Sequence, residues 1–268
     1  MATTKAASTK KATAKKPAAA KTTVRTVRAT ANTNVKPVSA QHSSPMTALL
    51  PDNIVNIVFA ELVGTFVLTL VALLALKETG ALYVGLTLTL MVLAIGAVSG
   101  SHINPAVTFG LWTMRKLKTV LVPFYWGAQL LGTMLAIIVT NWVANGSVHL
   151  DFGHFLNSPD WSLVGVEMVG TAVFMFGLAA AVSRTDLSVA ARALGVGFSL
   201  MVGALVGGSL LASVQGAIDF SKITSVSEVP HSYRVKGATL NPAVAIAATE
   251  ATDSSLTQTR PTATEKQY

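Results

Sequence analysis

The sequence predicts an all-α membrane protein: an inverted-repeat helical bundle with five spanning helices and two re-entrant half-helices. Three observations carry that prediction. Five apolar runs are each about 18 to 25 residues long, enough at 1.5 Å of rise per residue to cross a hydrocarbon core of about 30 Å. The 268-residue chain is 51% hydrophobic and only 12% charged, with a mean hydropathy of +0.55, whereas a soluble domain carries about 25% charge. Finally, a Glu-x-x-Gly-Thr followed downstream by Asn-Pro-Ala-Val occurs once in each half of the chain.

The first element, residues 1–50, holds nine Lys/Arg and no Asp/Glu, so the formal charge of +8 is concentrated there and the rest of the chain is close to neutral. Its Ala, Lys, Thr, Ser and Pro cannot bury enough apolar surface to offset the entropy of ordering, which predicts a disordered basic cytoplasmic tail. Such a tail suits anionic lipid headgroups; nucleic acid is a less expected partner. It lacks the apolar stretch of a secretory signal, and its plainest role is to retain the amino terminus in the cytoplasm.

The membrane-embedded body is expected over residues 51–248, followed by a polar tail, 249–268. Spans are predicted at Ile54–Leu76, Ala81–Val98, Val120–Val143, Trp161–Val182 and Ala190–Val214. Glycines inside them, among them Gly64, Gly85, Gly96, Gly132, Gly170, Gly197, Gly203 and Gly207, read as sites of close helix packing in lipid. Arg115, Lys116, Lys118, Arg184 and Arg192 lie in connections on the tail's side, while Ala144 to Asp160 has no Lys or Arg. This is the positive-inside pattern for a cytoplasmic amino terminus. Lys222, Arg234 and Lys236 run against it, in the long connection before the second motif.

The first span carries Glu61-Leu-Val-Gly-Thr-Phe-Val67 and the fourth Glu167-Met-Val-Gly-Thr-Ala-Val173; Asn104-Pro-Ala-Val107 and Asn241-Pro-Ala-Val244 follow them. Two Asn-Pro-Ala tripeptides arise by chance in roughly one such chain in a thousand at ordinary residue frequencies. Three spans separate the copies, so the second enters the membrane from the opposite face. Asn is a favoured cap and Pro a favoured first helical residue, so Asn104-Pro105-Ala106 and Asn241-Pro242-Ala243 each read as a helix start. The helices that follow, Val107 to Lys116 and Pro242 to about Ala248, are too short to span. Their amino termini, the positive ends of two dipoles, would meet in mid-membrane and disfavour cations. Glu61 and Glu167 are expected to brace the irregular loops before the motifs, with a proton relay as the alternative. Gln129 reads as an interhelical hydrogen-bonding group, and His102 as a packed neutral ring rather than a pH gate.

These residues resemble the major intrinsic protein family, the aquaporins and glycerol facilitators. The carriers are Glu61-x-x-Gly-Thr-Phe, Ser99-Gly-Ser-His-Ile-Asn-Pro-Ala-Val-Thr-Phe109, Tyr125-Trp-Gly-Ala-Gln-Leu-Leu-Gly132, Glu167-x-x-Gly-Thr, Gly195-x-Gly-Phe-Ser and Gly237-Ala-Thr-Leu-Asn-Pro-Ala243. The resemblance, over about residues 54–246, implies an aquaporin-like bundle, a homotetramer with one pore per subunit, and passive passage of water or small neutral solutes across a cell membrane. It implies that Asn104 and Asn241 hydrogen-bond the permeant in mid-pore.

Two departures shape the expectation. The resemblance implies an arginine after the second motif, where Val244 stands, and the aligned constriction positions are Val84, Ala204 and Ala238. A ring so small and apolar cannot replace a permeant's hydration, so strict water selectivity is not expected and glycerol-like solutes are admitted. Nor is anything after Ala248 apolar enough for a sixth span. Either the sequence is cut short or frame-shifted, or another subunit supplies that wall, or the second half-helix does not insert. The alternative reading is therefore a non-conducting scaffold whose basic tail binds anionic lipid or nucleic acid. With no cysteine and no span carrying a His/Asp/Glu cluster or a nucleophile beside a base, neither enzymatic activity, cofactor nor metal site is expected.

Overall fold

A computed structural model describes residues 50–75, 79–143, 159–223 and 229–248. The basic segment 1–49 and the polar segment 249–268 lie outside the described residues, as do residues 144–158 of the third connection. All described residues belong to one compact unit, Ser43–Tyr268. Its helices are α1 (Ile54–Leu74), α2 (Gly80–Ser99), α3 (Pro105–Thr113), α4 (Val122–Val143), α5 (Trp161–Ser183), α6 (Val189–Gly216) and α7 (His231–Arg234), with α8 at residues 242–248. Among the described residues five segments are long and apolar enough to cross a membrane: α1, α2, α5, α6 and Thr119–Val143, a 3-10 turn leading into α4. Every end lies within two residues of the apolar runs read from the sequence.

Two of the spans, α5 and α6, start at a side-chain cap. Asp160 Oδ1 accepts from the Ser162 and Leu163 amides at the start of α5, and Ser188 Oγ accepts from the Ala191 amide at the start of α6, satisfying amides that no helical carbonyl reaches. The first half-helix differs from expectation: α3 begins at Pro105 and stops at Thr113, short of Lys116. Arg115 takes φ +58°, and the bonds Lys116 N–H to Leu111 O and Arg115 N–H to Trp112 O close the helix as a Schellman motif. That motif normally announces itself by a glycine.

Polarity runs inside out. Glu61, Thr65, Thr69, Gln129 and Thr133 are at most 1% exposed, while Phe59, Leu90, Ile138 and Phe176 stand on the outside. Water would penalise so much exposed apolar surface, and lipid does not. The chain is a multi-pass integral membrane protein.

α1 packs on α4 and α2, and α6 packs on α5 and α2. The approaches are closest at glycines: a methyl group on Gly132 of α4 would overlap the Leu62 carbonyl of α1, and one on Gly197 of α6 would overlap the Gly85 carbonyl of α2. Gly96, grouped with these by sequence, makes only an ordinary contact with Val92. The two halves are not equally covered. α4 fills the face of α1 that carries Glu61, whereas the matching face of α5, around Glu167, Met168 and Thr171, borders an open groove of about 470 Å³.

The connection after α6 is partly built onto the bundle. Asp160 Oδ2 accepts from the Ser232 amide at 2.7 Å, and Gln215 Nε2 donates to the carbonyls of Ser232 and Val235 at 2.9 and 3.0 Å. Val235 is buried against Val166 and Leu211. Burial raises the pKa of Asp160, but the hydrogen bonds from Ser232, Leu163 and Ser162 outweigh it and hold the carboxyl below its ordinary value. A depressed folded-state pKa stabilises above the unfolded value, about 3.9, and the contribution is lost as pH falls through the folded value. Hydrogen-exchange protection of the Ser232 amide is therefore expected to drop only in acid below about pH 4, and to be low at every pH in Asp160→Ala.

Candidate functional site

The site is the junction of the two half-helix starts. Asn104 has extended backbone and its Oδ1 accepts from the Ala106 amide at 2.8 Å; Pro105 needs no donor partner at the first turn. Asn241 Oδ1 accepts from the Ala243 amide at 3.1 Å in the same way, with Pro242 next in the chain. The capping oxygens being used, each Asn turns its amide nitrogen to the other half. Asn104 Nδ2 donates to Leu240 O at 2.8 Å and Asn241 Nδ2 donates to Ile103 O at 2.9 Å. This reciprocal pair brings the starts of α3 and α8 together, and each –NH₂ keeps a second N–H.

The carbonyls that receive these bonds belong to residues in the left-handed region: Ile103 has φ +40° and Leu240 φ +52°. A bulky side chain at positive φ is strained and persists only where the surroundings over-determine it. Here the carboxylates supply the constraint. Glu61 takes the Ser99 hydroxyl (2.6 Å) and the His102 amide (2.9 Å) on Oε1, and the Ile103 amide (2.6 Å) and Gln129 Nε2 (2.9 Å) on Oε2. Glu167 takes the Thr239 amide and hydroxyl on Oε1 and the Leu240 amide on Oε2, at 2.8 to 3.1 Å. Gln129 also donates to Thr108 Oγ1. The His102 ring is buried, with its Nδ1 3.2 Å from Thr108 Oγ1 and its face 4.4 Å from the Tyr125 ring.

The four aligned positions converge. Val84 of α2, Ala204 of α6, Ala238 and Val244 line one cavity of about 350 Å³, with Asn241 at its wall. Asn104, buried on the other side of the junction, is not in that lining. Sequence reasoning missed several contributors. Tyr125 donates its hydroxyl to Ser99 O, Trp126 Nε1 donates to Pro105 O, and Lys236 lies in the cavity lining. Thr108 had a usable signal, one helical turn after Asn104, whose carbonyl its hydroxyl bonds. The others depend on contacts between distant parts of the chain.

The major intrinsic protein family model matches residues 55–223. The chain is 36% identical over 151 residues to Aquaporin Z of Photorhabdus laumondii, covering 47% of this chain and 64% of that protein. It is 30% identical over 178 residues to Aquaporin NIP2-1 of Zea mays, covering 60% of each. It thus spans about three-fifths of the length of the curated relatives it matches. The aquaglyceroporin from Plasmodium falciparum, a solved structure, aligns with 75% of this chain at 20% identity and a TM-score of 0.45. With its family model matching more than half of its length, the chain belongs to the major intrinsic protein family.

Proposed function

We propose that the protein is a passive channel for water and small neutral solutes of glycerol size. The observation that carries this reading is the reciprocal bonding of Asn104 and Asn241 beside a cavity with Asn241 in its wall. Asn241 spends one N–H on Ile103 O and has a second for a permeant hydroxyl or water. The starts of α3 and α8 meet there, and their dipoles disfavour cations. Val84, Ala204, Ala238 and Val244 offer no side-chain hydrogen bonds, so the cavity sorts solutes by size more than by replacing hydration.

Lys/Arg placement favours a cytoplasmic amino terminus in a cell membrane. The basic segment 1–50 then retains that terminus and meets anionic lipid headgroups. Family likeness favours a homotetramer, the apolar outer faces of the spans meeting other subunits or lipid. Within this reading Asn241 bonds the permeant at the cavity wall and Asn104 bonds it beyond the junction, Val84, Ala204, Ala238 and Val244 set the bore, and Glu61 and Glu167 brace the loops.

Stopped-flow light scattering on proteoliposomes of the full chain tests the proposal. Water and glycerol fluxes are both expected above the lipid background. Val244→Arg, which fills the cavity with a long cationic side chain, is expected to cut glycerol flux severalfold and water flux less. Wild-type fluxes at background for both solutes would overturn the reading.

A further inference from the structure

The cavity of about 350 Å³ has a single charged side chain in its lining among the described residues, Lys236. Described carboxylates of the neighbouring segments have other partners: Asp160 accepts from the amides of Ser162, Leu163 and Ser232, Glu167 accepts from Thr239 and Leu240, and Asp219 pairs with Lys222 at 3.3 Å. No ion pair or hydrogen bond of Lys236 is present among the described residues.

Lys236 is itself exposed, and the backbone that leads to it is held in place. The preceding residue, Val235, is 8% exposed and buried against Val166 and Leu211. Its carbonyl and that of Ser232 take both bonds from Gln215, while the Ser232 amide is held by Asp160. The long connection therefore delivers one cation to the lip of an apolar cavity and fixes the backbone beneath it. Low-dielectric walls focus the field of such a charge into the opening.

We propose that Lys236 sets the charge selectivity of this mouth, repelling small cations before they reach the asparagines while leaving neutral solutes free to enter. The inference rests on the channel reading above and adds a specificity-determining residue to it. Guanidinium and urea are the natural probes, because they share a planar shape and similar size and differ by one charge.

In proteoliposomes of the full chain the wild type is expected to pass urea and to hold guanidinium at the lipid background. Lys236→Glu is expected to raise the guanidinium-to-urea rate ratio about tenfold, with the gain shrinking as ionic strength rises and the Debye length shortens. Lys236→Gln should give a smaller rise, and Lys236→Arg should keep the wild-type ratio. A Lys236→Glu ratio equal to wild type, with urea flux present, overturns the proposal; should that variant fail to insert, an unchanged Lys236→Gln ratio overturns it equally. Failure of the channel reading shows separately, as wild-type vesicles that pass neither water, glycerol nor urea, and the proposal falls with it.

Discussion

Glu61→Ala is expected to abolish solute flux and to lower the melting temperature of the detergent-solubilised protein by about 10 °C or more. The carboxylate is fully buried and takes four donors: one hydroxyl, two backbone amides and the Gln129 amide. Alanine would strand them. A buried donor left without a partner costs about 1–3 kcal/mol, so even with partial relaxation the loss is several kcal/mol, and 1 kcal/mol corresponds to about 2–4 °C in a chain of this size. The backbone amides also hold Ile103 at positive φ, so its carbonyl would turn away and Asn241 would lose its acceptor. Flux should fail even where the helices still assemble.

The companion variant separates bracing from general damage. Among the described residues Glu167 takes only Thr239 and Leu240 and receives no amide from a neighbouring helix, and it is part-buried beside the open groove. Glu167→Ala strands three donors against four, and from a part-buried rather than a fully buried site, so its stability loss should be clearly smaller than that of Glu61→Ala. Equal losses would mean that the two carboxylates do not owe their effect to burial. Fluorescence-detected size exclusion across a temperature series measures both variants on one scale.

What the sequence revealed of this architecture follows a physical division. Spans are legible because lipid imposes a length and a polarity on each helix separately. Asn104-Pro105 and Asn241-Pro242 are legible as helix starts because capping is local, spanning two or three residues. Glu61 and Glu167 could be linked to the loops because a carboxylate inside an apolar helix must find donors. Their donor sets could not be read, since Glu61 reaches Ile103 across 42 residues and Asn241 reaches Ile103 across 138. Ile103, Leu240 and Arg115 adopt positive φ against their own preferences, and no local rule names a bulky residue for that region. Lys236 looked like an exception to the charge bias. Its place at the cavity follows from Asp160 and Gln215 anchoring the chain just before it, a tertiary effect with no sequence period.

Gly132→Ala should be the most damaging single-methyl change in the described spans of the first half, and Gly165→Ala should be harmless. Both place alanine in an apolar helix, where it is favoured over glycine by about 1 kcal/mol. The difference lies in what the methyl meets. At Gly132 it would collide with the Leu62 carbonyl and crowd the Phe66 amide nitrogen of α1, backbone atoms that no rotamer change can move. α4 would have to back away from α1, drawing Gln129 from Glu61 and the Tyr125 hydroxyl from Ser99 O. Overpacking costs about 1–3 kcal/mol, and the displaced hydrogen bonds add to it, so a net loss above about 3 kcal/mol is expected. At Gly165 the added carbon meets nothing within 4 Å beyond its own stretch of helix backbone and its chain neighbours, and the helix preference is all that remains. Melting curves of the two variants should move in opposite directions from wild type. If Gly132→Ala melts like wild type, helix contact at that glycine does not hold the first half together, and Gln129 reaches Glu61 without it.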